Sequence, residues 1–130
     1  MHLSVLDSIE FVHDTLLPKL SVTSKTNSVA LHPVCSVTKL GLAPKLEAIA
    51  KVCSEKVIVP LDAGCCAFAG DRGFLLPQLT ASATRLEAIE VKSTQPEGCY
   101  SSSRTCEIGM TRATGQVYRS YLYLLEKATR

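Results

Sequence analysis

Residues 56–66 read KVIVPLDAGCC, and how they are taken decides the fold. Lys56 to Leu61 is a short apolar run rich in β-branched residues, which fits a buried strand. Asp62-Ala63-Gly64 is a turn, and it delivers two adjacent thiols, Cys65 and Cys66, just past the strand end. Upstream, Ser28 to Val34 (SVALHPV) is a second run of this kind, with Pro33 confined to its end because a proline cannot donate to a strand ladder. Cys35 follows it. Downstream, Cys99-Tyr100-Ser101-Ser102 reads as a third short strand after a polar turn with Pro96 and Gly98, and Cys106 comes after that.

Helical spacing fills the intervals. Leu3, Val5, Leu6, Ile9, Val12, Leu16 and Leu17 predict an amphipathic helix over 3–20, with Pro18 near its end and a polar loop over 21–28. Leu40, Leu42, Leu46, Ile49, Ala50 and Cys53 predict a helix over 37–54. Leu75, Leu79, Ala83, Leu86 and Ile89 predict one long helix over 74–92, with Thr80 and Ser82 on its solvated side. Residues 115–129 predict a closing helix, on which Tyr118, Tyr121 and Tyr123 read as packing or interface residues. Strands alternating with helices define an α/β chain: three layers, a short parallel sheet flanked by helices in a Rossmann-like manner. At 130 residues one domain is expected.

Composition excludes several classes. Hydrophobic residues at 46%, charged residues at 20% and a mean hydropathy of +0.17 belong to an ordinary globular chain. The net charge of +2 is spread along the sequence with no basic run, so nucleic acid is not an expected partner. No apolar stretch is long enough to span a bilayer, and Asp7, Glu10 and Asp14 stand where a secretory signal would be basic and then apolar. A cytoplasmic setting is expected, and there six cysteines point to metal, catalysis or packing instead of a disulfide framework.

The strands end on one edge of a parallel sheet, which is where open α/β sheets bind ligands. Cys35, the pair Cys65-Cys66, and Cys106 each follow a strand, so four thiols spaced C-x29-C-C-x39-C can converge there. Neither zinc ribbons nor ferredoxin runs use such spacing, since both wrap short C-x2-C loops around the metal. Adjacent thiols suit a multi-iron cluster better than tetrahedral zinc, and soft sulfur ligands favour iron-sulfur chemistry. Cys53, at an apolar helical position, and Cys99, at a strand start, are accounted for by packing. His32 has two readings: a partner to a cluster sulfur or proton carrier, or a histidine satisfied by backbone at a strand end. Asp71-Arg72 either pins the loop by an ion pair or meets an anionic substrate. Gly70 and Gly73 are expected to supply tight turns and a helix start.

The segments LHPVCSVTKLG (31–41), VPLDAGCCAFAGDRGFLLPQLTASATR (59–85) and GCYSSSRTCEIGMTRATG (98–115) resemble the C-terminal cysteine-rich "CCG" domain of FAD- and iron-sulfur-containing D-lactate dehydrogenases. That family is related to the glycolate oxidase iron-sulfur subunit and to heterodisulfide reductase subunits. The resemblance covers nearly the whole chain. It implies that Cys35, Cys65, Cys66 and Cys106, which match the family's cysteine positions, hold an iron-sulfur cluster of [4Fe-4S] type or present reactive thiols, and that the domain passes electrons between flavin and an acceptor such as a quinone or cytochrome. It implies no catalytic residue in the chain itself. FAD-binding and ferredoxin-like parts of a parent enzyme would be the partners, and through the parent the chain could lie at the inner face of the membrane.

Two departures stand out. Ala67 follows the Cys pair where the motif has glycine, which costs backbone freedom where the loop turns to the site. Ser103 replaces the first thiol of the closing C-x2-C, which argues against a double, non-cubane cluster and leaves four thiolates at most. With no FAD-binding region and no ferredoxin run, the chain is expected to be an excised C-terminal piece, inactive towards lactate alone. A metal-free alternative is a thiol-disulfide module cycling Cys65-Cys66 or Cys35-Cys106. Another is a docking domain that contributes only an interface to the flavin part.

Overall fold

A computed structural model describes residues Met1–Arg130. Four parallel strands form its centre: β1 (Thr26–His32), β2 (Ser54–Ile58), β3 (Gly98–Ser101) and β4 (Tyr118–Ser120), in spatial order β2-β1-β3-β4. β1 is central, and Val29, Ala30 and Leu31 are buried in succession, the pattern of a strand covered on both faces. It stops at His32 because Pro33 has no N–H to continue the ladder. Ala30 pairs with Ile58 on one side and Cys99 on the other, and His32 lies opposite Ser101.

The first helical segment begins at Ser8, where the Asp7 side chain accepts from the Ile9 amide and caps α1 (Ser8–Phe11). The chain winds on through a π turn (Val12–Leu16) and a 3-10 turn (Leu17–Lys19). The expected helix over 37–54 is two: α2 (Cys35–Lys39) and α3 (Ala43–Cys53), separated by a turn at Gly41. The expected helix over 74–92 is three: α4 (Arg72–Leu75), α5 (Pro77–Ala83) and α6 (Arg85–Thr94). Pro77 interrupts the first junction, since it lacks an N–H and pushes Leu76 out of the helical region. At the second, the Thr84 hydroxyl donates to the Thr80 carbonyl at 2.7 Å, a local bond that competes with the helix ladder.

Those breaks change which side is buried. Thr80, Thr84, Glu87, Ala88 and Val91 face inward, whereas Leu75, Leu79, Leu86 and Ile89, the expected apolar face, are exposed. Two further elements run against expectation. Arg104–Thr114 is a helix, α7, ended by Gly115 at φ +74°, a left-handed conformation that favours glycine. The expected closing helix over 115–129 therefore starts late, as β4 and then α8 (Tyr121–Thr129).

The core lies on both faces of the sheet. Val29, Leu31 and Tyr100 belong to a cluster with Leu46 and Ile49 of α3 and Leu124 of α8. Ala30, Cys99 and Tyr118 pack with Val91 of α6 and Met110 of α7. Three layers result, as the alternation of strands and helices implies. No helix is long and apolar enough to cross a membrane.

Candidate metal centre

From β1 the chain crosses to β2 on one side, and the next strand, β3, is on β1's other side. Between β1 and β3 the connections diverge, and open α/β sheets place ligand sites at the strand C-termini of such a switch point. His32 ends β1 and Ser101 ends β3; the Ser101 hydroxyl donates to the His32 carbonyl at 2.8 Å and ties the two ends together.

Above them lie Cys66 and Cys106. Cys66 sits in the loop after β2, and Cys106 in the first turn of α7. Their sulfurs are 3.0 Å apart and both residues are buried. The ligand atoms of His32, Cys66 and Cys106 all lie within 4.8 Å of one another. His32 is fully buried, and its Nδ1 is 2.8 Å from Oε1 of Glu87 on α6, also buried. That leaves Nε2 buried without a hydrogen-bond partner. An imidazole oriented by a carboxylate through Nδ1, with Nε2 free beside two thiols, is the arrangement of a metal ligand with its supporting carboxylate.

The charges agree. Burial opposes the imidazolium of His32, but Cys66 and Glu87 beside the ring outweigh it and raise the pKa to about 9. For Cys66 the hydrogen bond with Cys106 is the largest influence. With His32 and the Phe68 backbone it overcomes burial and takes the thiol down to about 4. The same hydrogen bond, reinforced by burial, holds Cys106 far above the ordinary thiol range. Cys66 is thus the thiol that ionises readily, and a metal would displace the protons of His32 Nε2 and Cys106 Sγ on binding.

The Cys66 loop is tightly held. Phe68 is buried against the ring of Phe74, the centroids 4.7 Å apart and the planes nearly perpendicular. Gly73 lies so close that a Cβ there would meet Phe68 ring carbons at 2.5–2.8 Å. Glycine at 73 thus serves close approach. Ala67 and Ala69, on either side of Phe68, both adopt positive φ, +56° and +46°. The alanine after the Cys pair bears the backbone cost that the sequence implies.

Of the four expected thiols, the fold brings Cys66 and Cys106 together and leaves Cys35 and Cys65 exposed. The Cys65 sulfur accepts from the Ala67 amide at 3.3 Å. Cys35 opens α2, three residues beyond β1. Cys53 and Cys99 are buried, and burial raises both thiols, Cys99 to about 11, as packing residues require. His32 is partnered at Nδ1 by a side chain, not by backbone. Asp71 and Arg72 form no ion pair, so the loop is pinned by Phe68 and Gly73 instead. Glu87 is the residue that sequence reasoning missed. A glutamate inside a helix of ordinary polarity carries no mark of burial.

The buried His/Cys/Cys group could hold a metal ion: soft sulfur and imidazole donors at this spacing suit zinc or iron. No protein-family model, no curated protein and no solved structure matches the chain.

Proposed function

We propose that the chain is an iron-sulfur-binding, electron-transferring domain of a FAD-dependent D-lactate or related 2-hydroxyacid dehydrogenase. The observation that carries this reading is the convergence of Cys66, Cys106 and the unpartnered Nε2 of His32 at the switch point of the sheet. The resemblance of GCC-x-FAGDRGF and SSRTCEIG to the cysteine-rich domains of such enzymes supports the choice of cluster and parent. Cys66 and Cys106 would be the inner ligands, and the exposed Cys35 and Cys65 would complete a four-thiolate set. When bound, the cluster would supply one-electron chemistry between a reduced flavin and a quinone or cytochrome acceptor.

The chain's own residues prepare for that role. Glu87 fixes the imidazole of His32 and balances its charge. His32 lowers the cost of a buried thiolate at Cys66. Phe68 packs into the same buried cluster as Cys66 and Cys106 and holds the loop that carries Cys66.

The test is anaerobic reconstitution of the reduced chain with iron and sulfide, followed by metal and acid-labile sulfide assay and EPR. About four irons and four sulfides per chain are expected, lost in both Cys66→Ser and Cys106→Ser. A single iron without sulfide would replace the cluster by a mononuclear thiolate centre. No bound iron at all would refute the reading.

A further inference from the structure

We infer that Cys66 and Cys106 form a reversible dithiol-disulfide couple, oxidised by hydroperoxides, whose closure switches the metal centre off. The second half of this inference rests on the metal reading above; the first half stands on geometry alone.

The two sulfurs already lie 3.0 Å apart, and a disulfide requires about 2.05 Å, so closure is a movement of roughly 1 Å. The chain can supply it. Cys106 is set on α7 and Cys66 lies in the loop between β2 and α4, so a movement of this size falls to the two side chains, with the Phe68 anchor of the loop left in place. The pairings expected from sequence do not share this approach. Cys65 and Cys35 are exposed, with neither sulfur in the buried group, and Cys53 and Cys99 belong to two separate core clusters.

Burial selects the oxidant. Cys66 is 3% exposed and Cys106 8%, so the oxidant of this couple has to be small, and hydrogen peroxide is a two-electron thiol oxidant of that size. In the first step the Cys66 thiolate attacks one peroxide oxygen: an S–O bond forms, the O–O bond breaks, and the departing hydroxide takes a proton from the buffer and leaves as water. Cys66 is then a sulfenic acid. In the second step the Cys106 sulfur attacks Cys66 Sγ, the S–S bond forms, the S–O bond breaks, and the leaving hydroxide takes the Cys106 proton as a second water. Two thiols lose two electrons and one peroxide gains them. A small dithiol reductant reverses the change by exchange when the Cys66 loop opens to admit it. The closed form offers no thiolate at either inner position, so His32 is left without its two sulfur co-ligands.

The experiment uses the full chain, reduced and stripped of metal, treated with one equivalent of hydrogen peroxide, alkylated and mapped by peptide mass spectrometry. The expected product is a cross-link joining the Cys66 and Cys106 peptides, lighter by two hydrogen atoms and reopened by dithiothreitol. Alkylation of both thiols after peroxide, or cross-links carried by Cys35 or Cys65 instead, would overturn the couple. Zinc binding by the reduced and the oxidised chain is then compared. Binding to the reduced form alone supports the switch. Equal binding to both forms overturns the switch, and absence of binding to the reduced form overturns the metal reading and the switch with it, leaving only the couple.

Discussion

Glu87 Oε1 stands 2.8 Å from His32 Nδ1, and the two side chains are buried together between α6 and the end of β1. Breaking a buried pair by removing one partner leaves the other without compensation. Glu87→Ala should therefore destabilise the reduced, metal-free chain by about 3 kcal/mol, as buried pairs do. Urea unfolding at pH 7 measures it. A loss no larger than roughly 0.5 kcal/mol would place the pair among exposed ion pairs and contradict its burial.

The pH profile of stability follows from the same group. Cys66 ionises far below its unfolded value of 9.0, so its contribution is full above pH 9 and is lost as pH falls through about 4. His32 has a folded pKa of about 9 against 6.5 unfolded, so its contribution is full below 6.5 and is lost as pH rises through 9. The two cancel between 6.5 and 9 and leave a plateau. Below 6.5 stability should fall, and above 9 it should fall again because Cys106 cannot ionise in the fold. Unfolding in reductant at pH 5, 6.5, 8 and 10 traces the curve. In Cys66→Ala the difference between pH 5 and 6.5 should shrink, and an unchanged difference would remove Cys66 from the account.

Ala67 at φ +56° pays a steric cost that glycine does not. Ala67→Gly should stabilise the chain by about 0.5–1 kcal/mol, the strain relieved exceeding the added freedom of the unfolded chain. Thermal unfolding shows the sign, and a lowered Tm would mean that the left-handed loop is not retained in solution.

Gly73→Ala should do the reverse. The new methyl meets the Phe68 ring at 2.5 Å, and neither the ring nor the helix start can retreat without moving the loop that carries Cys66. A loss of about 1–3 kcal/mol is expected, typical of overpacking. Weaker zinc binding should accompany it, because Cys66 moves with Phe68.

Zinc itself, added to the reduced chain at a hundred times its Kd, should raise stability by about 2.7 kcal/mol. Cys66→Ser, Cys106→Ser and His32→Gln should each abolish most of that gain, whereas Cys35→Ser should leave the larger part. Equal loss from all four variants would make Cys35 an inner ligand.

Much of this architecture is legible in the residues. The runs VALH and KVIV and the placement of thiols after them lead directly to a parallel sheet and to its C-terminal edge. The position of Pro33 marks the end of β1 within a residue. What stays hidden depends on tertiary context. Leu75, Leu79, Leu86 and Ile89 repeat at helical spacing, yet Pro77 and Thr84 break the helix and rotate that face outward. β4 is only three residues long, too short for a period to show. In the site, periodicity cannot say which member of an adjacent Cys pair turns inward, because consecutive loop residues obey no period. Nor can it reveal that Glu87 has a buried histidine to meet.

The strand order has a consequence for how the site comes into being. His32 and Ser101 are hydrogen-bonded across 69 positions of sequence. During synthesis β1, α3 and β2 can pair as soon as they emerge, but at that stage the nascent chain displays His32 and Cys66 with no Cys106 to meet them. His32, Cys66 and Cys106 are together only when β3 has inserted beside β1 and α7 has been made. Such non-local closure is slow and comes late. Metal capture would then act as a checkpoint: an ion held by His32, Cys66 and Cys106 would certify that the last quarter of the chain has docked, and a truncated or stalled product would lack one of the three.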